Sequence, residues 1–379
     1  MRIQNGVLLT MEGQQFERGF VDVENGVITA VGAMSDAPGA VPGDIIDAQG
    51  GYILPGLIDA HTHIGICEEG LRWEGDDCNE ATDPVTPEMR AVDGFYPFDT
   101  AIAKAVRGGV TSCAVSPGSA NVIGGQICYV KLAGTNARKM VVKAPSAMKF
   151  ALGENPKRCY GERKGKTPLT RMASAALIRD ALTKAEKYLA KKNAGEDVYD
   201  ARWEALALVL TRKIPAQFHA HRSDDILTAM SIAEEFNLDY TIIHATEAAL
   251  IPEEIRAAGI LPIVGPSMGP SSKPETRHGG FHVAGELYRH GIEVTLTTDH
   301  DVQPLWHLPA FAGMCVREGL PEDAALRAIT INAAKAAHMD QRVGSLKVGK
   351  DADIAVFTGH PFDYRSKACA VLINGIRVV

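Results

Sequence analysis

The chain has 379 residues, 46% hydrophobic and 22% charged, with a formal net charge of -7. That composition gives an ordinary globular protein with a large core, and the length suits a barrel with inserts and an accessory unit. No Lys/Arg-rich run offers nucleic acid or an anionic membrane a footprint, and no apolar run reaches the ~18 residues of a membrane span. The seven cysteines, Cys67, Cys78, Cys113, Cys128, Cys159, Cys315 and Cys369, are widely spaced, odd in number and without a CxxC pair. Reduced thiols are expected, not a disulfide framework or a cysteine zinc site. The opening MRIQNGVLLTMEGQQ lacks the apolar stretch and cleavage site of a secretory signal, which predicts a cytoplasmic protein.

In chain order, the first ~50 residues read as short strands split by Gly and Asn-Gly turns. The end of the chain, GSLKVGKDADIAVF and AVLINGIRVV, reads the same way. Neither end has enough strands to bury a core alone, so the two ends together predict one small β-sandwich, residues 1–53 plus 343–379. Residues 54–342 alternate β runs with helical stretches. VTSCAVS leads into a Gly-rich loop, AMKFALGE into a helical region from about Leu169 to Lys192, and IPAQFHAH into DDILTAMSIAEEF. DYTIIHATE, ILPIVGPS and EVTLTTD continue the pattern. This alternation predicts a parallel sheet clad by helices, and its extent favours a (β/α)8 TIM barrel. A doubly wound sheet would want a GxGxxG turn after the first strand, and none is present. Two long segments, Gly65 to Phe98 and Asn155 to Pro168, read as loops.

Several predicted strands end in residues that bind metals. In LPGLIDAHTHIG, His61 and His63 are two apart, so on a strand both rings face one side. AQFHAH offers His219 and His221, YTIIHATE offers His244, and VTLTTDHD offers Asp299. One such ending has a bland explanation as a core histidine, but four in register with a β/α alternation do not. Barrel active sites lie at the C-terminal ends of strands, and imidazole with carboxylate suits Zn2+ and related ions.

On these residues the whole chain resembles the amidohydrolase superfamily, near its imidazolonepropionase-related members. The resemblance implies metal ligands at His61, His63, His219, His244 and Asp299, with one or two divalent ions, Zn2+ first and Fe2+, Mn2+ or Ni2+ as alternatives. It also implies a Lys or Glu ligand from the fourth strand. Lys149 and Glu154 are the two candidates there. They fall on opposite faces by strand parity, and Glu154, nearer the end of the run, is favoured over a carbamylated Lys149. Asp299 is expected to act as general base, and His244 to steady the oxyanion or hold a second ion. His221 stands where deaminase-type members resemble HxE, which tilts the expectation away from deamination. It points instead to hydrolysis of an amide or cyclic-amide C–N bond, with an acyl-amino acid or dipeptide as the candidate substrate. A deaminase resembling imidazolonepropionase or cytosine deaminase is the alternative, and an inactive structural relative a further one. His221, Lys273 and Arg277 are the candidate substrate contacts. The expected partner is a small molecule, with neither nucleic acid nor membrane, and the chain is expected to form a homo-oligomer.

Overall fold

Alternating burial shapes the two ends of the chain. The computed structural model describes residues 1–39 and 43–379. The first strands are β1 (Arg2–Leu9), β2 (Gln15–Glu24), β3 (Val27–Ala33), β4 (Ile45–Asp47) and β5 (Tyr52–Pro55). β1, β2 and β3 form an antiparallel meander, and β4 and β5 both pair parallel to β1. Asn25 and Gly26, both at positive φ, make the β2–β3 turn, as an Asn-Gly hairpin requires. The last strands are β14 (Ile354–Phe357), β15 (Ala368–Ile373) and β16 (Ile376–Arg377), and β14 joins β5 edge to edge. Both termini thus build one sheet domain, consistent with the expected β-sandwich from both ends, around Ile3, Leu8, Val21, Ile53, Ile354 and Leu372. Its first part runs on to Pro55, and the returning strand begins at Ile354.

Between the two ends lie β6 (Leu57–Thr62), β7 (Val110–Val115), β8 (Ile123–Lys131), β9 (Val141–Ala151), β10 (Ala216–Ala220), β11 (Tyr240–His244), β12 (Ile263–Val264) and β13 (Thr295–Leu296). They pair in chain order into one eight-stranded sheet. Every residue of β6, β7 and β10 is buried, since one face fills the barrel and the other meets helices. Hydrogen bonds close the ring from β13 back to β6: Thr297 Oγ1 donates to the His61 carbonyl at 2.6 Å. The barrel fold is as expected, with one departure: β8 runs antiparallel to both neighbours. Only residues 116–122 separate β7 from β8. A parallel crossover needs a dozen residues or more, so the third strand must return reversed. The segment Asn155 to Pro168, expected as loop, instead begins with helical turns at Glu154–Lys157 and Arg158–Glu162. The long helix runs over Arg171–Asn193, close to its expected span. Among the described residues, no helix is long and apolar enough to cross a membrane.

The reversed strand has a structural consequence. It carries its last residue, Lys131, to the barrel end that faces the terminal sheet. There the buried ammonium lies 2.7 Å from Asp351 Oδ2 and 2.9 Å from Asp353 Oδ2, and it donates to the Asn374 side chain. Asp351 and Asp353 lead into β14, so one cation fastens barrel to sheet. Removing one member of a buried ion pair leaves the other charge unpaired and costs about 3–5 kcal/mol. Lys131→Met is expected to destabilise the protein by that amount in equilibrium denaturant unfolding. A loss under about 1 kcal/mol, the range of an exposed pair, would contradict the clamp.

Candidate metal centre

The C-terminal ends of the barrel strands bring seven ionisable side chains together. His61 lies one residue before the end of β6 and His63 just after it, and their rings meet edge to face at 5.1 Å. Both Nε2 atoms approach one oxygen of Asp299, just beyond β13: 3.3 Å from His61 and 3.2 Å from His63. Lys149, inside β9, places its Nζ 3.0 Å from His61 Nε2. His219 and His221 come from the end of β10 and His244 from the end of β11. Their ring centroids are 4.5–4.8 Å apart, with His221 stacked on His244. The ligand atoms of His219, His221 and His244 all lie within 4.8 Å of one another, as do those of His61, His244 and Asp299.

Outer contacts aim these rings. His63 Nδ1 lies 2.7 Å from the Ser116 carbonyl and His244 Nδ1 lies 2.7 Å from the Gly265 carbonyl. A carbonyl only accepts, so both Nδ1 atoms carry a proton and both Nε2 atoms point inward. His221 Nδ1 is held by the Thr246 hydroxyl at 2.7 Å. Asp59 fixes the closure of the ring. Its buried carboxylate accepts from His61 N at 3.1 Å and, through the other oxygen, from Thr298 N at 2.9 Å and Thr298 Oγ1 at 2.8 Å. It thereby sets the two halves of the His61–Asp299 pair against each other, while burial pushes its own pKa up to about 6.

The electrostatics suit a cation. Burial pulls the pKa values of His61, His219 and His221 well below the usual range, and that of His244 down to about 4. Those four imidazoles are therefore neutral, the form that binds metal, whereas at His63 burial is outweighed by Cys78 and Asp299 beside it, which hold its pKa well above the usual range. Burial alone would raise Asp299, but the surrounding His244, His61 and His63 hold it well below the carboxylate range. Its Oδ1 finds no hydrogen-bond donor among the described residues. That oxygen faces His63 Nε2 at 3.2 Å, a position that a proton on His63 or a bound cation satisfies. The donor set therefore fits one or two divalent ions. Burial also draws Lys149 down to about 8, which enlarges the fraction of neutral amine near pH 7.

The other candidates lie as follows. Glu154 is outside the cluster: it opens the short helix after Gly153, a quarter exposed, with its side chain 3.9 Å from Arg158. Lys273 lines the cavity, its Nζ 3.1 Å from Asn155 Oδ1 and 3.2 Å from Glu275 Oε1. Arg277 is exposed and borders a neighbouring depression with Leu250 and His282. The sequence reading passed over Asp59 and Glu275. Asp59 sits two residues before His61 on the same strand face, a spacing that could have flagged it. Glu275 is buried, 3.8 Å from His221 Nε2, and it accepts the Glu154 backbone N–H. Nothing in its polar loop sequence signals that it turns inward. The site opens into a cavity of about 370 Å3, bordered by His63, His219, His221, Asp299, Ser119 and Lys273. A larger cavity, about 590 Å3, lies at the opposite end of the barrel beside Asp239, Glu293 and Lys335, away from these ligands.

Residues 52–376 match the model of the amidohydrolase family. The chain belongs to the amidohydrolase family. An amidohydrolase from Thermotoga maritima of known structure is 42% identical and superposes with a TM-score of 0.95, over 100% of this chain and 99% of that one. The amidohydrolase tasK of Hapsidospora irregularis is 34% identical over 94% of this chain, which spans only 39% of that longer protein. An imidazolonepropionase of Sphingopyxis alaskensis is 26% identical over 94% of this chain and 91% of its own length. A Xaa-Pro dipeptidase structure, 17% identical with a TM-score of 0.61, shares the amidohydrolase fold. Family membership places the chain among hydrolases of carbon–nitrogen bonds.

Contacts behind metal ligands typically govern metal affinity by 10–100-fold. Asp59→Asn keeps one acceptor but turns an amide N–H2 towards the donors it now binds. Its metal affinity, measured by competition with a chelator, is expected to fall by about that factor. An unchanged affinity would mean that Asp59 serves only the strand ends.

Proposed function

We propose that this amidohydrolase uses one or two divalent ions, zinc first, to hydrolyse an amide or cyclic-amide bond of a small molecule. The observation that carries this reading is the convergence of neutral imidazoles, one unpartnered carboxylate oxygen and a buried lysine at the mouth of the barrel. His61, His63 and Asp299 would hold one ion, and His219 and His244 a second. Lys149, once its neutral amine has added CO2, would supply the linking carboxylate in place of Glu154. A bound divalent ion lowers the pKa of water from ~15.7 towards ~7 and polarises a carbonyl. Asp299, ionised and held beside both rings, takes a proton from the attacking water and returns it to the departing nitrogen. His221, braced by Thr246, faces the substrate. Lys273, steadied by Asn155 and Glu275, is placed to receive a substrate carboxylate, as an acyl-amino acid or dipeptide carries. Arg277, beyond the rim, would meet only the far end of a longer substrate.

Reaction on a nitrogen heterocycle draws support from the imidazolonepropionase relative. Against it stands His221, which occupies the position where such members resemble HxE. An inactive structural role is disfavoured because all the candidate ligands are retained.

Metal analysis separates the two fourth-strand candidates. Wild type and Glu154→Gln are expected to hold about two ions per chain, and Lys149→Ala fewer. Loss of metal from Glu154→Gln alone would move the ligand back to Glu154. No metal in wild type after reconstitution would sink the hydrolase reading. Loss of a general base typically costs 10²–10⁴-fold, so Asp299→Asn is expected to lower kcat by about that factor on a panel of N-acyl amino acids and dipeptides. Lys273→Met is expected to raise KM for carboxylate-bearing members of that panel and leave the corresponding amides unaffected. Equal effects on both would remove Lys273 from substrate binding.

A further inference from the structure

The segment that follows β6 carries a second set of soft donors in the cavity wall. Residues 66–77 fold back as a small hairpin. Glu68 N donates to the Gly75 carbonyl at 2.8 Å, Asp77 N donates to the Ile66 carbonyl at 2.8 Å, and Cys67 bridges to Asp76 across the ladder. Asp76 and Cys78, two apart, come from one strand of the hairpin and Cys67 from the other. Their ligand atoms, two thiol sulfurs and a carboxylate oxygen, all lie within 4.8 Å of one another. Cys67 Sγ is 3.5 Å from Asp76 Oδ1, and the same oxygen accepts Cys78 N at 3.2 Å, which fixes the carboxylate in place. Tetrahedral zinc bonds of ~2.3 Å to sulfur and ~2.0 Å to oxygen separate those two atoms by about 3.5 Å. Neither thiol belongs to the hydrolytic ligand set, and neither is in a disulfide. Cys78 is buried, Cys67 half-buried and Asp76 exposed, and all three border the cavity that holds His63 and Asp299.

We propose that Cys67, Asp76 and Cys78 form a separate site for one thiophilic divalent cation, Zn2+ or Cd2+, whose fourth position opens into the catalytic cavity. Two thiolates and a carboxylate select soft ions over Mg2+ or Ca2+. Binding holds both sulfurs as thiolates and places the ion in the substrate's path. An excess of Zn2+ or Cd2+ over the hydrolytic complement therefore inhibits by occupying this wall.

The test is a Cd2+ titration of metal-loaded protein kept reduced with a phosphine, read as the ultraviolet thiolate-to-cadmium charge-transfer band. Wild type is expected to gain the band with one further equivalent. Cys67→Ser and Cys78→Ser are expected to lose both the band and that equivalent while keeping the folded far-ultraviolet circular dichroism spectrum. Asp76→Asn, a surface change that leaves both thiols, is expected to weaken the Cd2+ response about tenfold or more. Lys149→Ala, whatever happens to its hydrolytic ions, is expected to retain the band, so failure of the proposed hydrolytic centre does not imitate failure here. Absence of the band in wild type, or its survival in folded Cys78→Ser protein, would overturn the site.

Discussion

Seven ionisable groups crowd together at the mouth of the barrel: His61, His63, Lys149, His219, His221, His244 and Asp299, all buried. Burying polar groups without partners costs several kcal/mol each, and burying a lone charge costs more. Much of the local structure answers that constraint. Backbone carbonyls take the outer nitrogens of His63 and His244, a threonine takes that of His221, and Asp59 takes the backbone of His61. The inner faces are left with ring nitrogens, one carboxylate and the Lys149 amine, a set that could hold a metal ion. Two members also hold left-handed backbone: φ is 71° at His244 and 51° at Asp299. Such conformations cost about 1–3 kcal/mol and persist where the surroundings over-determine them. Here they turn the side chains at two strand ends into the cavity.

The scaffold divides the work between its two ends. One end of the barrel gathers the candidate ligands on strand termini and the loops beyond them. The other end docks on the sheet made by both chain termini, through Lys131 and its two aspartates. The reversed strand β8 makes that division possible, because its last residue emerges away from the site. Loop 116–122, which leads into β8, remains on the site side, where Ser116 orients His63 and Ser119 meets Asn155.

Much of this was legible in the residues alone. The HxH pair, the HAH pair, His244 and Asp299 each end a β run, and period-2 geometry says which way they face. The two β-rich ends, each too short for a core, announced a shared β domain. On the fourth strand the placement of Lys149 and Glu154 departs from strand-end logic for a physical reason. Strand-end logic assumes a short side chain at the rim, yet lysine reaches the rim from a layer below. Lys149 sits two residues before the end of β9, paired with Gln217, and spans the difference with its methylenes. Glu154, nearer in sequence to the strand end, has already turned the corner at Gly153 into a helix. The reversal of β8 was also hidden, because hydrophobic pattern carries no strand direction and only the brevity of the 116–122 connection betrays it. Glu275 and the hairpin that unites Cys67 with Cys78 depend on loop geometry that no local periodicity encodes.

The most direct test of the metal centre is diffraction from crystals of the reconstituted protein, with data collected at the zinc absorption edge. Anomalous peaks are expected beside His61, His63 and Asp299 and beside His219 and His244, with planar density extending from Lys149 Nζ towards both. Metal found only elsewhere, with Lys149 unmodified and hydrogen-bonded to His61, would contradict the account.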